Sequence, residues 1–406
     1  MRLSRDAVPS VLITASVQAV VALTMASVQV AAPTIAREIA VDVRWIGPFV
    51  ALCYAIAMPV SLLAGSIVLR QGAVRGGQVC LVAAGLAALL LATGWPPAML
   101  LSAIGYGVAL GLSVPAGSQL IARHADSREL PLAMSLGQSG MTLGRLATGL
   151  AVPTIVLAVG WSGTLAAWAA LAAALALVLG HWRGRLDPSV SHRHKVTRRG
   201  LAEPLAMIRG NPDLRRLTFA AIVFASAQLS LVVYLVAYLH EVAGLSLVIA
   251  GFAYATAQTA GIVSRVLLGG LAGASGRPRL VLGVLGLAMS AALAGAATLS
   301  PGWPTTLVLL GAAMLGSVAM SWNGLLFAEV VRAAGVRHAA TATGAVSFVT
   351  FIGLAIGPAL FGGLLAFGHD YATGFLVFAA LVAVAGAAVL PKFGVAPAAT
   401  GPGSAP

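Results

Sequence analysis

Twelve long apolar runs dominate the sequence, near residues 10–35, 45–69, 77–94, 98–121, 131–157, 162–181, 215–240, 246–269, 279–299, 304–329, 340–366 and 371–390. At ~1.5 Å of rise per residue, ~20 apolar residues cross the ~30 Å hydrocarbon core as one helix. Only 9% of the residues are charged, against roughly a quarter in soluble domains. Lipid is the solvent that suits such a chain. In lipid the backbone must satisfy its own polar groups within each segment, so the expected fold is an all-α membrane protein of twelve transmembrane helices in two six-helix halves.

The polar segments between the runs carry the charge, and its sign sets the orientation. Twenty of the 24 Lys and Arg residues fall in segments that alternate to one face, while the other face holds only Arg37 and Arg44. The positive-inside rule makes the basic face cytoplasmic and predicts both termini there, in a cell inner membrane. The net charge of +13 is therefore a topology signal and implies no nucleic-acid partner. The start, Met1 to Asp6, imitates a secretory signal, but the apolar segment behind it is too long for a signal core and reads as an uncleaved first helix. Cys53 and Cys80 lie inside apolar runs, without disulfide or zinc spacing, as packing residues.

Nine basic residues lie between His181 and Arg216. That interval divides the chain into an N-terminal half over 1–181, a basic cytoplasmic linker over 182–214 and a C-terminal half over 215–390. The tail, 391–406, is rich in Ala, Gly and Pro and is expected to be disordered.

The fifth run carries a full positive charge, Arg145, near its centre. Placing Arg there costs at least ~2.5–3.5 kcal/mol, so it is expected to face a polar path or a partner. Ser135, Gln138, Thr142, Arg145 and Gly149 follow steps of three and four and form one stripe of a helix. The competing reading is a structural arginine satisfied by carbonyls of a broken neighbouring helix.

The halves repeat one another. Gly94-Trp95-Pro96 returns as Gly302-Trp303-Pro304, and the loop after the second run, with Gly65, Arg70 and Gly72, is answered after the eighth by Gly269, Gly276 and Arg277. An internal repeat of this length marks a two-half transporter. With twelve spans, a basic central loop and two degenerate copies of a G-x-x-x-D-R-x-G-R/K-R/K loop, the chain resembles the major facilitator superfamily. The resemblance implies a gating role for those six loop residues. The motif's aspartate is replaced by Leu69 in one copy and Gly273 in the other, which departs from the family's latch.

Ser264-Arg265-Val-Leu-Leu-Gly269 is similar to the R-x-x-x-G of the eighth helix in monocarboxylate transporters and the bacterial oxalate:formate exchanger, where the family's arginine contacts the substrate carboxylate. Here Gly261 stands where the monocarboxylate transporters have an acidic partner. From the residues themselves, Tyr254, Gln258, Gly261 and Arg265 share one helical face. Arg265 either lines the path or snorkels to the headgroups about one turn away. Tyr234, Asn323 and Gln29 are further polar candidates in spans, for which helix–helix hydrogen bonding is an equal alternative.

None of the eleven acidic residues and seven histidines falls at mid-membrane. A proton-driven exporter of cations needs an embedded carboxylate, and a membrane enzyme needs a nucleophile with a base or a metal cluster. His240, Glu241 and Glu329, at helix ends, are the proton-carrier candidates. Buried arginines without embedded acids favour an anionic cargo, because a guanidinium fork matches a carboxylate. The chain is thus expected to carry a small organic anion, a mono- or dicarboxylate, by proton symport or anion exchange, with no cofactor and no metal. An efflux carrier for hydrophobic compounds is the alternative, suggested by the Gly-rich fifth span and Gly357-Pro358.

Overall fold

The computed structural model describes residues 3–39, 46–187 and 199–391. Arg2, Asp42, Arg44, the linker residues Arg193, Lys195 and Arg198, and the tail from Lys392 lie outside the described residues.

The N-terminal helices are α1 (Ala7–Glu38), α2 (Ile46–Gln71), α3 (Ala73–Ala92), α4 (Pro96–His124) and α5 (Leu130–Leu186). Helix α6 (Arg199–Gly210) follows in the linker, then α7 (Pro212–Glu241), α8 (Leu247–Ser275), α9 (Pro278–Ala296), α10 (Thr305–Ala319), α11 (Trp322–Ala334), α12 (Ala339–Ala366) and α13 (Tyr371–Val389). Among the described residues, ten stretches are long and apolar enough to cross a membrane. The two further crossings, the first leg of α5 and helix α8, are the ones that carry Arg145 and Arg265 with their Ser, Thr and Gln neighbours.

Three elements differ from the sequence reading. The fifth and sixth crossings form one long helix broken at Gly160, whose φ of 72° suits glycine because it has no Cβ to clash. The tenth crossing is two helices, α10 and α11, parted at Met320 and Ser321. The linker, read as a loop, contains α6, which lies against α2, α7 and α12.

In the N-terminal half α1 packs on α5, and α4 on α2 and α3; in the C-terminal half α7 packs on α12, α8 on α10 and α9 on α13. Lipid supplies no hydrophobic drive between helices, so close approach through small residues holds them. A Cβ on Gly140 or Gly144 of α5 would strike the main chain of Ala15 or Ala19 in α1, and one on Gly316 of α10 would strike Ala257 in α8. Positive-φ glycines recur at matching places in the halves: Gly72 and Gly276, Gly94 and Gly302, Gly160 and Gly368.

The ends of helices next to the basic segments form one end of the bundle, here the basic end. There Asp187, at the close of α5, is buried and accepts from the main-chain N–H groups of Ala73 at 3.0 Å and Val74 at 2.8 Å. The first turn of α3 otherwise leaves those donors orphaned, and the carboxylate also complements the helix dipole. Arg123 of α4 stands 3.6 Å from the same carboxylate. In the second half Arg279 pairs with Asp213 at 2.8 Å and donates to the Val389 carbonyl at 2.9 Å. An acid at each end of the linker thus meets the start of the helix that follows each degenerate loop.

Candidate functional site

The halves meet along α2–α12, α4–α12, α5–α8 and α5–α11. Among the described residues, every hydrogen bond across this seam lies between the basic end and the level of Arg265. Gln119 of α4 donates from Nε2 to the Val336 carbonyl at 2.8 Å and accepts from the Ala340 N–H at 3.0 Å. Arg332 of α11 donates to the Ser127 carbonyl. Gly65 of α2 packs directly on Thr341 of α12, and Gly269 of α8 on Ser135 of α5. The seam is therefore shut at the basic end. At the opposite end, Trp161 donates to Glu38 at 2.5 Å and Tyr371 to Glu241 at 2.9 Å, each tie lying within one half.

Arg265 is the topmost tie. It is 4% exposed, and it neither lines an open path nor snorkels. Its Nε donates to the Met320 carbonyl at 3.0 Å, joined there by Nη2, while Nη1 donates to the Gln138 carbonyl at 3.2 Å and the Thr142 hydroxyl at 3.0 Å. The break between α10 and α11 frees the Met320 carbonyl that receives the fork. The structural role weighed for Arg145, an arginine on carbonyls of a broken helix, is filled by Arg265. Gln138 contributes through its main chain and Thr142 through its hydroxyl, so both serve this tie.

Arg145 sits one turn beyond Thr142, away from the basic end. At ~100° per residue it lies roughly 60° round α5 from Thr142, which meets α8, and roughly 100° the other way from Gly144, which meets α1. Its position on α5 therefore lies between the stripe that meets α8 and the stripe that meets α1. The exposed leucines of α5, Leu143, Leu146 and Leu150, lie on the far side and suit acyl chains. Arg145 is exposed and makes no hydrogen bond or ion pair among the described residues, and it is near enough to Arg265 and Tyr254 to act on both electrostatically. Tyr254 and Gln258, both half-buried, share the helical face of Arg265, and Gln258 donates to the Tyr254 hydroxyl at 2.8 Å.

The structure thus brings Arg145, Tyr254 and Gln258 together above the Arg265–Gln138–Thr142 tie. Other candidates stand elsewhere. Tyr234 stacks on Phe361 at 4.8 Å and donates to the Pro358 carbonyl at 3.1 Å, binding α7 to α12. Asn323 is half-buried on α11, and Gln29 is exposed toward the far end of α1. Of the loop residues, Gly72 adopts a φ of 96° directly over the Asp187 carboxylate, Gly276 ends α8 with a φ of 64°, and Arg70 and Arg277 are exposed. The proton-carrier candidates have local partners: the Leu245 carbonyl 2.7 Å from His240 Nδ1, Tyr371 on Glu241, and Arg332 on Glu329 at 3.2 Å. A groove of about 550 Å³, lined by Phe252, Thr256, Thr259, Val263 and Leu267 among others, lies on the opposite, lipid-directed face of α8, and it takes no part in this site.

Two residues carry more of the structure than the sequence alone assigns them. Gln119 is a polar candidate in the fourth apolar run, no different in sequence from other polar residues of the spans, and its signal is position, within two turns of the basic end of α4. In sequence Asp187 is one acid of the basic face, and its signal is its place before Pro188, since an acid at a helix stop has free acceptors.

The Major Facilitator Superfamily model matches residues 14–358. No curated protein sequence matches significantly. Among solved structures, one of the E. coli fucose:proton symporter FucP is similar with a TM-score of 0.73 and 14% identity, over 95% of this chain and 98% of that one. The human organic anion transporter MFSD10 (TETRAN) gives 0.74 and 14%, over 95% and 100%. The proton:xylose symporter XylE bound to 6-bromo-6-deoxy-D-glucose gives 0.66 and 14%, over 94% of each chain.

Proposed function

Because the chain belongs to the major facilitator superfamily, and so is a multi-pass membrane transporter rather than an enzyme, we propose that it is a secondary active carrier of a small organic anion working by alternating access between its halves. The observation that carries this reading is Arg145: an exposed guanidinium in the middle of a membrane crossing, with no hydrogen bond or ion pair among the described residues. A carboxylate from the cargo fits its fork with two charge-assisted bonds, and Tyr254 and Gln258 stand ready to read a second polar group. The solved structures of similar fold are named as carriers of sugars and of organic anions alike, so the choice of cargo rests on the arginine.

In this reading the basic end is cytoplasmic, in the inner membrane, and the shut seam there makes the structure a state closed to the cytoplasm. The cargo is a mono- or dicarboxylate, entering with a proton or by exchange for another anion. Uptake of labelled lactate, benzoate, oxalate and succinate into proteoliposomes, with and without an imposed pH gradient, tests it. Uptake of at least one anion supports the reading, and stimulation by an acidic exterior selects symport over exchange. Transport of uncharged or cationic compounds with no anion moved would instead support an efflux carrier.

A further inference from the structure

We infer that Arg145 and Arg265 form a charge-coupled switch in which their mutual repulsion opposes closure of the basic end, and negative charge at Arg145 relieves it. The inference rests on the anion reading for what supplies that negative charge, and on geometry for the rest. The two guanidiniums belong to different halves: Arg145 to α5, Arg265 to α8. They come together only while the basic end is shut, because Arg265 reaches α5 through the Gln138 carbonyl at 3.2 Å and the Thr142 hydroxyl at 3.0 Å. Arg145 is one helical turn from Thr142, so closing the seam delivers the Arg265 charge to its vicinity, and opening removes it.

The groups facing the pair offer no counter-charge. From α8 come Tyr254 and Gln258, from the break between α10 and α11 the Met320 carbonyl, and from α5 Gln138 and Thr142. Neither arginine takes part in an ion pair among the described residues. Arg265 is buried while Arg145 is exposed, so water screens their repulsion in part and leaves an interaction on the order of 1 kcal/mol. Four of the five N–H donors of Arg265 are engaged by its oxygens, so the cargo meets Arg145 while Arg265 stays with the seam. An anion on Arg145 cancels the repulsion without touching Arg265, and the filled carrier holds its basic end shut more firmly than the empty one. Arg265 is then a positioning residue that transmits occupancy to the seam.

The test is pulsed electron-electron distance measurement on the full chain in nanodiscs, with spin labels at Arg128→Cys and Arg337→Cys. These positions are exposed on opposite halves at the basic end, and the native Cys53 and Cys80 are buried. Without any ligand, Arg145→Gln is expected to raise the closed-to-open ratio about fivefold, as loss of one like-charge contact should, and Arg145→Glu to raise it further. Arg265→Gln is expected to lower the ratio, and in that background Arg145→Gln is expected to change nothing. An equal effect of Arg145→Gln with and without Arg265, or a shift toward the open form, overturns the switch. Benzoate or oxalate added to the parent should mimic Arg145→Gln. If the variant cycle behaves as stated while proteoliposomes move no anion, the repulsion stands and the anion reading alone fails.

Discussion

The Nη1 of Arg265 donates to the Thr142 hydroxyl at 3.0 Å across the seam between the halves, so a charge that belongs to the C-terminal half ends on the N-terminal one. The same guanidinium closes on the Met320 carbonyl where α10 stops and α11 has not begun. One side chain therefore mends a break in its own half and fastens its neighbour.

Replacing Arg265 with Met keeps most of the volume and leaves the Met320 and Gln138 carbonyls without their donor. A buried acceptor so stranded costs ~1–3 kcal/mol, offset in part by relief of burying the charge. The melting temperature of the purified protein should fall. Arg265→Lys, which keeps charge but not the fork, should fall less. Equal melting of all three proteins would show that the tie contributes nothing to stability.

Asp187→Asn removes one charge-assisted acceptor from the first turn of α3 and the partner of Arg123. Caps of this kind contribute ~0.5–2 kcal/mol, and calorimetry should register a loss of that size. The exposed Asp126→Asn provides the comparison, with no change expected.

Much of this architecture was legible in the sequence because it rests on period and composition. Apolar runs, alternating basic segments and paired Gly-Trp-Pro turns need no tertiary knowledge. The lone charge of Arg145 was readable for the same reason. The roles of Arg145 and Arg265 were not separable, since both are arginines in polar helical stripes. What parts them is the break at Met320, and nothing local in Ala319-Met320-Ser321-Trp322 announces a stop. The close of the seam by Gln119 depends on the turn at Gly335, whose φ of 78° brings Val336 and Ala340 back to α4.

The α1–α5 contact makes a sharp prediction about glycines that look alike in sequence. Gly144→Ala places a methyl against the Ala19 main chain, whereas Gly149 has nothing within 4 Å of where its Cβ would stand. Overpacking of this sort costs ~1–3 kcal/mol. Gly144→Ala should reduce the yield of monodisperse protein on size exclusion, and Gly149→Ala should not.

Asp370 caps α13, accepting from the Thr373 N–H at 2.8 Å and hydroxyl at 2.7 Å, and these bonds hold its carboxyl below the usual carboxylate range. A depressed folded value means the contribution is present above the unfolded value and lost as pH falls through the folded one. The melting-temperature gap between the parent and Asp370→Asn should therefore be open at pH 7 and close below about pH 4. A gap that persists unchanged into acid would remove the carboxylate from the account.

Counterflow in proteoliposomes preloaded with the carboxylate panel, comparing the parent with Arg145→Ala and Arg145→Lys, tests the central claim most directly. The account predicts exchange of at least one anion by the parent, loss of about a hundredfold or more in Arg145→Ala, as for a charge pair of roughly 3 kcal/mol, and an intermediate rate in Arg145→Lys. Full counterflow of the same anion by Arg145→Ala would contradict it.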